Sequence, residues 1–290
     1  MLGGSEPAPR LITVGMRGVL IAASILVLGV GFPLFFFPQN TDVDFAWTIN
    51  PPIMAAALGA SYLASSRFEV LAARARIWVN ARIAVPAVLI FTVLTLVITL
   101  VHIDRFHLFV SSPPARFVAW VWLAVYVIVP VIMSIAWFRQ ARIHGPDLAR
   151  GAPISSVLRA IWFASGIILL FGGVYLLMAP SDAAAFWPWS LTLLTGRAVG
   201  AWLVGLGVVS AHAGFENDIA RLYPIFPAMT VLAILNGIVL IRFHDELDWT
   251  HPSAWVYALV LTAWLGVGLY NWARFAAANQ APVAKMESRH

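Results

Sequence analysis

Two loops of the sequence combine histidine with carboxylate side chains, which can bind divalent metals or transfer protons. One reads His-Ile-Asp-Arg-Phe-His and the other His-Asp-Glu-Leu-Asp-Trp-Thr-His, and Asp-x-x-His occurs in both, beginning at positions 104 and 248. The pattern is not HExxH, and such residues also serve as solvated or helix-capping residues of loops. The candidates for proton or metal binding are His102, Asp104, His107, His244, Asp245, Asp248 and His251.

Arg197 is a charged residue one or two turns inside an apolar run. An arginine costs roughly 2.5–3.5 kcal/mol at the centre of a membrane span, and less near the interface. Its guanidinium either extends back to the interface, pairs with a carboxylate of the neighbouring loops, or receives an anionic group of a ligand. We interpret Arg197 as a ligand-binding candidate that points into the protein.

Two segments that mix aromatic, proline and hydroxyl residues lead into apolar runs, at 45–52 and 186–195. Irregular backbone at membrane depth is tolerated where it is buried in protein or lines a cavity. The alternative is an ordinary aromatic belt at the interface. The ligand-binding candidates that these segments supply are Trp47, Asn50, Trp187, Trp189 and Thr192.

The elements that position these residues are eight apolar runs. They cover 18–38, 51–73, 83–103, 117–138, 156–179, 191–214, 224–242 and 254–275, and most approach the ~20 residues that cross the hydrocarbon. Of the 290 residues, 61% are hydrophobic and 11% are charged. Soluble domains are about one quarter charged, so lipid must solvate much of this chain. The sequence predicts an all-α, polytopic membrane helix bundle with about eight transmembrane helices.

The second run is the least regular, because Arg67 and Glu69 fall in its last turns. We place those turns at the inner membrane surface. The second and sixth runs are also rich in alanine, glycine and serine, which let helices approach closely in lipid. They are either the inner helices of the bundle or the walls of a cavity on its axis.

The basic residues predict the orientation. If the N-terminus is cytoplasmic, fourteen of the eighteen lysine and arginine residues fall on cytoplasmic segments, as the positive-inside rule requires. The first apolar run follows Arg10 and Arg17 and has no small-x-small cleavage site, so we interpret it as a retained span. The expected location is the plasma (inner) membrane, with both termini in the cytoplasm.

Four motif pairs in the same order predict an internal repeat. Phe45-Ala-Trp matches Trp187-Pro-Trp, and three further pairs begin at positions 58 and 199, 75 and 220, and 119 and 254. Four spans in each half give both halves one orientation, so the repeats are parallel and related by an axis along the membrane normal. The predicted organisation is a tail at 1–17, four-helix repeats at 18–145 and 146–276, and a tail at 277–290.

The segments FAWTINPP and FWPWSLTLLTGRAVGAWL resemble an uncharacterised family of bacterial, largely actinobacterial, multi-spanning membrane proteins. The shared pattern is PW-x-LT-x-LT-x-R-x-x-GAW, and the matching residues run from Pro188 to Trp202. The resemblance covers about a fifth of the chain. It implies a bacterial plasma membrane and carries no activity.

Several chemistries are excluded or disfavoured. The chain has no cysteine, which excludes thiolate nucleophiles, iron–sulfur clusters and cysteine-bound zinc. Its single lysine, Lys285, lies in the C-terminal tail, which excludes a retinal-type Schiff base within the membrane. Haem is disfavoured because no histidine lies in the middle of a span. The sequence requires no cofactor, and a divalent metal stays open.

These observations favour a small carrier or ligand-binding membrane protein, with a site near the outer leaflet between the two repeats. One alternative is an intramembrane enzyme that uses the histidine and aspartate residues of the outer loops, with or without a metal. A second is an accessory subunit of a membrane complex. The expected partners are the lipid bilayer and an unidentified small molecule or ion, not nucleic acid; a homo-oligomer or membrane complex stays open.

Overall fold

Eight long helices build the molecule. The computed structural model describes residues 8–287, with side chains up to residue 275. We label the helices in chain order as α1 Val14–Phe36, α2 Pro52–Arg74, α3 Ala84–Val101, α4 Pro113–Ala141, α5 Ser156–Met178, α6 Leu193–Glu216, α7 Ile225–Arg242 and α8 Pro252–Glu287. Within the described range, the β-type pairing is one isolated bridge between Leu11 and Ile77.

Seven of these helices are long and apolar enough to cross a membrane, so the chain is a multi-pass all-α membrane protein. The exception is α2, whose sequence is rich in alanine and serine and contains Arg67 and Glu69. Most of its side chains are buried by neighbouring helices, so α2 needs little apolar surface of its own. The last helix continues to Glu287, so the predicted tail at 277–290 begins inside a helix.

Local sequence explains where several helices begin. Thr13 and Ser155 precede α1 and α5, and each side-chain hydroxyl accepts a bond from the backbone N–H three residues later. Thr192 and Thr195 form a reciprocal capping box at the start of α6. Proline occupies the first helical position of α2, α4 and α8, where no internal bond to the N–H is required.

Glycine lets two pairs of helices pack closely. A Cβ on Gly59 of α2 would lie 2.8 Å from the carbonyl carbon of Leu34 on α1. A Cβ on Gly200 of α6 would lie 2.8 Å from the carbonyl oxygen of Gly173 on α5. Larger residues would push these backbones apart, so the small residues of α2 and α6 are needed for the packing.

The first and second halves of the chain use corresponding helices in their main contacts. The pairs are α1 with α2, α5 with α6, α3 with α4, and α7 with α8. Two pairs cross between the halves, because α2 packs on α7 and α6 packs on α3. The crossed pairs hold the two halves together.

The two ends of the bundle differ in charge. One end, which we call the basic end, carries Arg10, Arg82 and Arg221, with a hydrophobic cluster around Trp78 and Phe226. The other, the acidic end, carries the loops with Asp42, Asp104, Asp182, Asp245 and Asp248. It is filled by a second cluster that includes Trp47, Trp122 and Trp189.

Candidate functional site

A cavity of about 400 Å³ lies in the centre of the bundle and is lined by residues of all eight helices. It occupies the region between the hydrophobic clusters of the two ends. Ile161 on α5 and Val260 on α8 line it and are both exposed residues.

The cavity wall is mostly apolar, and Glu69 is the one charged residue among the described residues that line it. Its side chain is 1% exposed. Glu69 Oε1 accepts a bond from Ser65 Oγ at 3.1 Å, whereas Oε2 is buried without a hydrogen-bond partner. Trp162 also lines the cavity, and its buried indole Nε1 likewise has no partner. Buried polar atoms without a partner are rare in native structures and call for an explanation.

Aromatic side chains from both halves meet at the cavity. The Trp202 ring of α6 lies 5.0 Å from the Tyr62 ring and 4.4 Å from the Phe91 ring, measured between centroids. The Tyr62 and Tyr126 hydroxyls bond to each other at 3.0 Å. Of these residues, Phe91, Tyr126 and Trp202 line the cavity, so it presents aromatic surface to a ligand.

A groove of about 260 Å³ lies between α1 and α4, beside the cavity. Both are lined by Leu26, Val27, Val125 and Tyr126. Toward the acidic end the groove reaches Asp44. Burial, followed by repulsion from the nearby Asp42, raises the pKa of the Asp44 carboxyl.

Arg197 points into the bundle but does not line the cavity. Its Nε donates to the Leu177 carbonyl oxygen at 3.1 Å, and its Nη1 donates to His102 Nε2 at 2.6 Å. The sequence predicts a carboxylate or a ligand anion here, and the structure has a carbonyl and an imidazole instead. The reason is that the last turn of α5 leaves carbonyl groups without helical partners. Burial, and then the charge of Arg197, lower the pKa of His102.

The other predicted histidine and aspartate residues do not gather at one place. His107 is buried, and its ring bonds to the Phe45 carbonyl oxygen at 2.8 Å. The remaining residues make short-range contacts near the surface: Asp104 with Arg105, His244 with Asp245, Asp248 with Thr250, and His251 with Ser253. Among the described residues, no group of three or more histidine, aspartate and glutamate side chains could hold a metal ion.

The predicted aromatic residues fill the acidic end of the bundle. Trp47 packs against Trp122, with ring centroids 4.9 Å apart. Trp187 and Trp189 pack on Tyr257, and Trp189 Nε1 donates to the sulfur of Met54 at 3.2 Å. In the same region Asn50 is exposed, and Thr192 caps α6. None of the predicted ligand-binding residues of the two entry segments lines the central cavity.

Sequence reasoning missed two buried groups. The sequence places Glu69 at the inner surface, although a carboxylate within an apolar helix is by itself a signal for function. The second group is an ion network at the basic end, where Glu216 bonds to Arg82, Arg221 and His212. Arg82 belongs to the first half of the chain and Glu216 to the second, so the network joins the halves.

No family model, curated protein or solved structure matches the chain. The central cavity and its unpartnered polar atoms are therefore the basis for a functional proposal. At the acidic end the indole Nε1 atoms of Trp47 and Trp187 are also buried without a hydrogen-bond partner, but neither residue lines the central cavity or the groove.

Proposed function

We propose that the protein is a small carrier or ligand-binding protein of a bacterial plasma membrane, whose ligand binds in the central cavity. The cavity volume is in the range of ligand sites, which are mostly apolar with a few polar groups. The observation that carries the proposal is that two residues lining this cavity, Glu69 and Trp162, each have a buried polar atom without a hydrogen-bond partner. Such atoms are costly unless a ligand or water satisfies them.

We also propose that α2 is a membrane span, which makes eight. It lies antiparallel to α1 along most of its length. Ser24 bonds to Ser66 at one level, at 2.9 Å between the hydroxyls, and Gly31 meets Gly59 at another. Because α1 is one of the seven apolar helices, α2 reaches the same depths.

The nearly constant spacing of the helices supports two parallel repeats. The interval from the start of α1 at Val14 to the start of α5 at Ser156 nearly equals that from the start of α3 at Ala84 to the start of α7 at Ile225. Residues 64 and 205, and residues 69 and 210, line the cavity, and each pair has the same separation along the chain as the starts of α3 and α7. We therefore place the cavity on the axis between the repeats, deeper than the outer-leaflet site that the sequence predicts.

Binding of a neutral apolar probe tests the proposal. The purified full-length protein in lipid nanodiscs should bind N-phenyl-1-naphthylamine, which fluoresces in apolar surroundings. Ala263→Phe places a large ring at the cavity wall and should weaken binding by about tenfold. The matched control is Ala124→Phe, at an exposed alanine of α4 that does not line the cavity.

The proposal fails if the parent protein shows no saturable binding above empty nanodiscs. It fails equally if Ala263→Phe and Ala124→Phe bind the probe alike. The alternative of an enzyme that uses the acidic-end histidines lacks similar support, because those side chains form separate pairs.

A further inference from the structure

We propose that the central cavity binds amphipathic organic cations, with the Glu69 carboxylate as their counter-charge, and that a proton replaces the cation when the cavity is empty. The inference rests on the proposed function, because it names the class of ligand for the same cavity. It follows from the surroundings of Glu69, the aromatic wall and the acidic groove.

Glu69 has no opposite charge beside it among the described residues of the cavity wall. The other polar side chains that line the cavity come from several helices, and they are Ser61, Ser65, Thr92, Tyr126, Trp162, Ser165, Trp202, Ser210 and Trp264. Of these, Tyr126 is titratable and none is basic. A bare carboxylate away from water is very costly, so the group must hold a proton or pair with a cation.

The wall favours an organic cation over a metal ion. Calcium and magnesium are held in proteins mainly by carboxylate and carbonyl oxygens, and the described wall of the cavity offers a single carboxylate, its other side-chain oxygens being hydroxyls. Trp162, Trp202 and Trp264 instead present aromatic rings, whose faces attract organic cations. The remaining wall is apolar, so the ligand should carry an apolar body around its charge.

The groove between α1 and α4 also favours a positively charged ligand. It shares Tyr126 with the cavity wall and is also lined by Asp44. The carboxyl groups of Asp44 and Glu69 therefore belong to the groove and to the neighbouring cavity. Carboxylates attract cations and repel anions, so both spaces favour positive charge.

Binding exchanges one proton for one cation. The Glu69 O–H bond breaks, the proton leaves to the solvent, and the carboxylate oxygen pairs with the cation. No other bond changes. Cation binding should therefore weaken as the pH falls, and proton and cation gradients can be coupled through this one site.

The test compares two ions of the same shape and opposite charge. Tetraphenylphosphonium and tetraphenylborate are titrated into the full-length protein in nanodiscs by calorimetry, in two buffers of different ionisation enthalpy. We expect the phosphonium to bind at least about tenfold more tightly than the borate. The buffer dependence of the heat should give about one proton released per bound phosphonium.

A second pair of variants tests whether cation binding needs a carboxylate in the cavity or needs the side chain of residue 69 itself. Glu69→Gln should weaken phosphonium binding by about tenfold or more and abolish proton release. Adding Ser210→Glu to Glu69→Gln places a carboxylate at the corresponding cavity position of α6, and it should restore both. Size-exclusion profiles and melting temperatures confirm folding of each variant.

The outcomes distinguish failure of the cation inference from failure of the proposed function. If the neutral probe binds but the two ions bind equally, or phosphonium binding releases no proton, the cation inference is overturned and the cavity remains a ligand site. If neither the neutral probe nor the ions bind the parent protein, the proposed function falls as well. Should Glu69→Gln not fold, the proton count of the parent protein still decides.

Discussion

At the scale of single residues, two arginines satisfy corresponding carbonyl groups from different helices. Arg242 of α7 donates to the Phe35 carbonyl oxygen at 2.6 Å, near the end of α1. Arg197 of α6 donates to the carbonyl oxygen of Leu177, which lies as far from the start of α5 as Phe35 lies from the start of α1. Both guanidinium groups thus satisfy carbonyls that the helices leave unpaired.

We expect Arg197→Ala to lower the free energy of unfolding by about 1.5–3 kcal/mol, because it removes charged hydrogen bonds to His102 and to the Leu177 carbonyl. Arg197→Lys should recover part of this, since lysine keeps the charge but not the fork of donors. Arg116→Ala, at an exposed arginine of the same end, is the control. Denaturant unfolding in one detergent measures all three, and equal stability of Arg197→Ala and Arg116→Ala would contradict the contact.

His102 should make stability depend on pH. Its ring accepts a hydrogen bond from Arg197 only when neutral, and its pKa is lowered from 6.5 by burial and then by Arg197. The unfolded state therefore binds protons more readily, so the stability is present above about pH 6.5 and is lost as the pH falls through the lowered pKa. Melting temperatures between about pH 5 and pH 8 should show this slope, and His102→Gln should flatten it. An unchanged slope in His102→Gln would assign it to other groups.

The residue type of Glu69 is a signal in the sequence, but its burial beside a cavity could not be predicted. A carboxylate in an otherwise apolar segment is a functional signal, yet Arg67 two residues earlier favours an assignment to the membrane surface. Whether a side chain of α2 faces a cavity, a neighbour or lipid depends on how the other helices pack. In lipid both the inner and outer faces of a helix are apolar, so the sequence pattern cannot decide this.

At the scale of elements, the sequence predicts the helices well. The predicted span at 156–179 corresponds to α5 Ser156–Met178, and that at 224–242 to α7 Ile225–Arg242. The membrane thickness sets the length of the apolar runs, and proline, serine or threonine marks the start of every long helix except α3. Both signals are local in the sequence. The entry segments at 45–52 and 186–195 are harder to interpret, because their role depends on distant partners such as Trp122 and Tyr257.

We expect Gly59→Ala to destabilise the protein by about 1–3 kcal/mol, because the added methyl group meets the α1 backbone and the helices must separate. Gly200→Ala should cost a similar amount at the contact between α6 and α5. Gly29→Ala is the matched control, since a Cβ there meets nothing within 4 Å. It should be neutral or slightly stabilising. Melting temperatures in one detergent test the series, and a Gly59→Ala variant as stable as Gly29→Ala would refute the close packing.

At the scale of the whole molecule, the repeat that we propose pairs unlike residues at the cavity. In this pairing Ser61 corresponds to Trp202 and Glu69 to Ser210, so one half supplies the carboxylate and the other a large ring. Unlike walls on the proposed axis would suit one asymmetric ligand. Of the four motif pairs in the sequence, those at 45/187 and 58/199 have the spacing of the helices, whereas 75/220 and 119/254 do not.

The number of spans can be read from the positions of the loops. If α2 crosses the membrane, the loop before α2 and the loop after α3 lie on the same side. The thiols of Asp42→Cys and Ser111→Cys then react alike with a membrane-impermeant maleimide. If α2 does not cross, α3 alone separates them, and they react on opposite sides. The natural chain has no cysteine, so each introduced thiol is the single target of a membrane-impermeant maleimide.

We expect the exposed acidic-end positions to be labelled in intact cells and the exposed basic-end positions only after permeabilisation, because basic residues favour the cytoplasmic side. The acidic-end variants are Asp42→Cys, Ser111→Cys, Ser181→Cys and Thr250→Cys, and the basic-end variants are His144→Cys and Ser155→Cys. The inverse pattern keeps eight spans and reverses the orientation. Labelling of positions 42 and 111 from opposite sides would show that α2 does not cross the membrane. The number of spans would then be odd, which contradicts the parallel repeats.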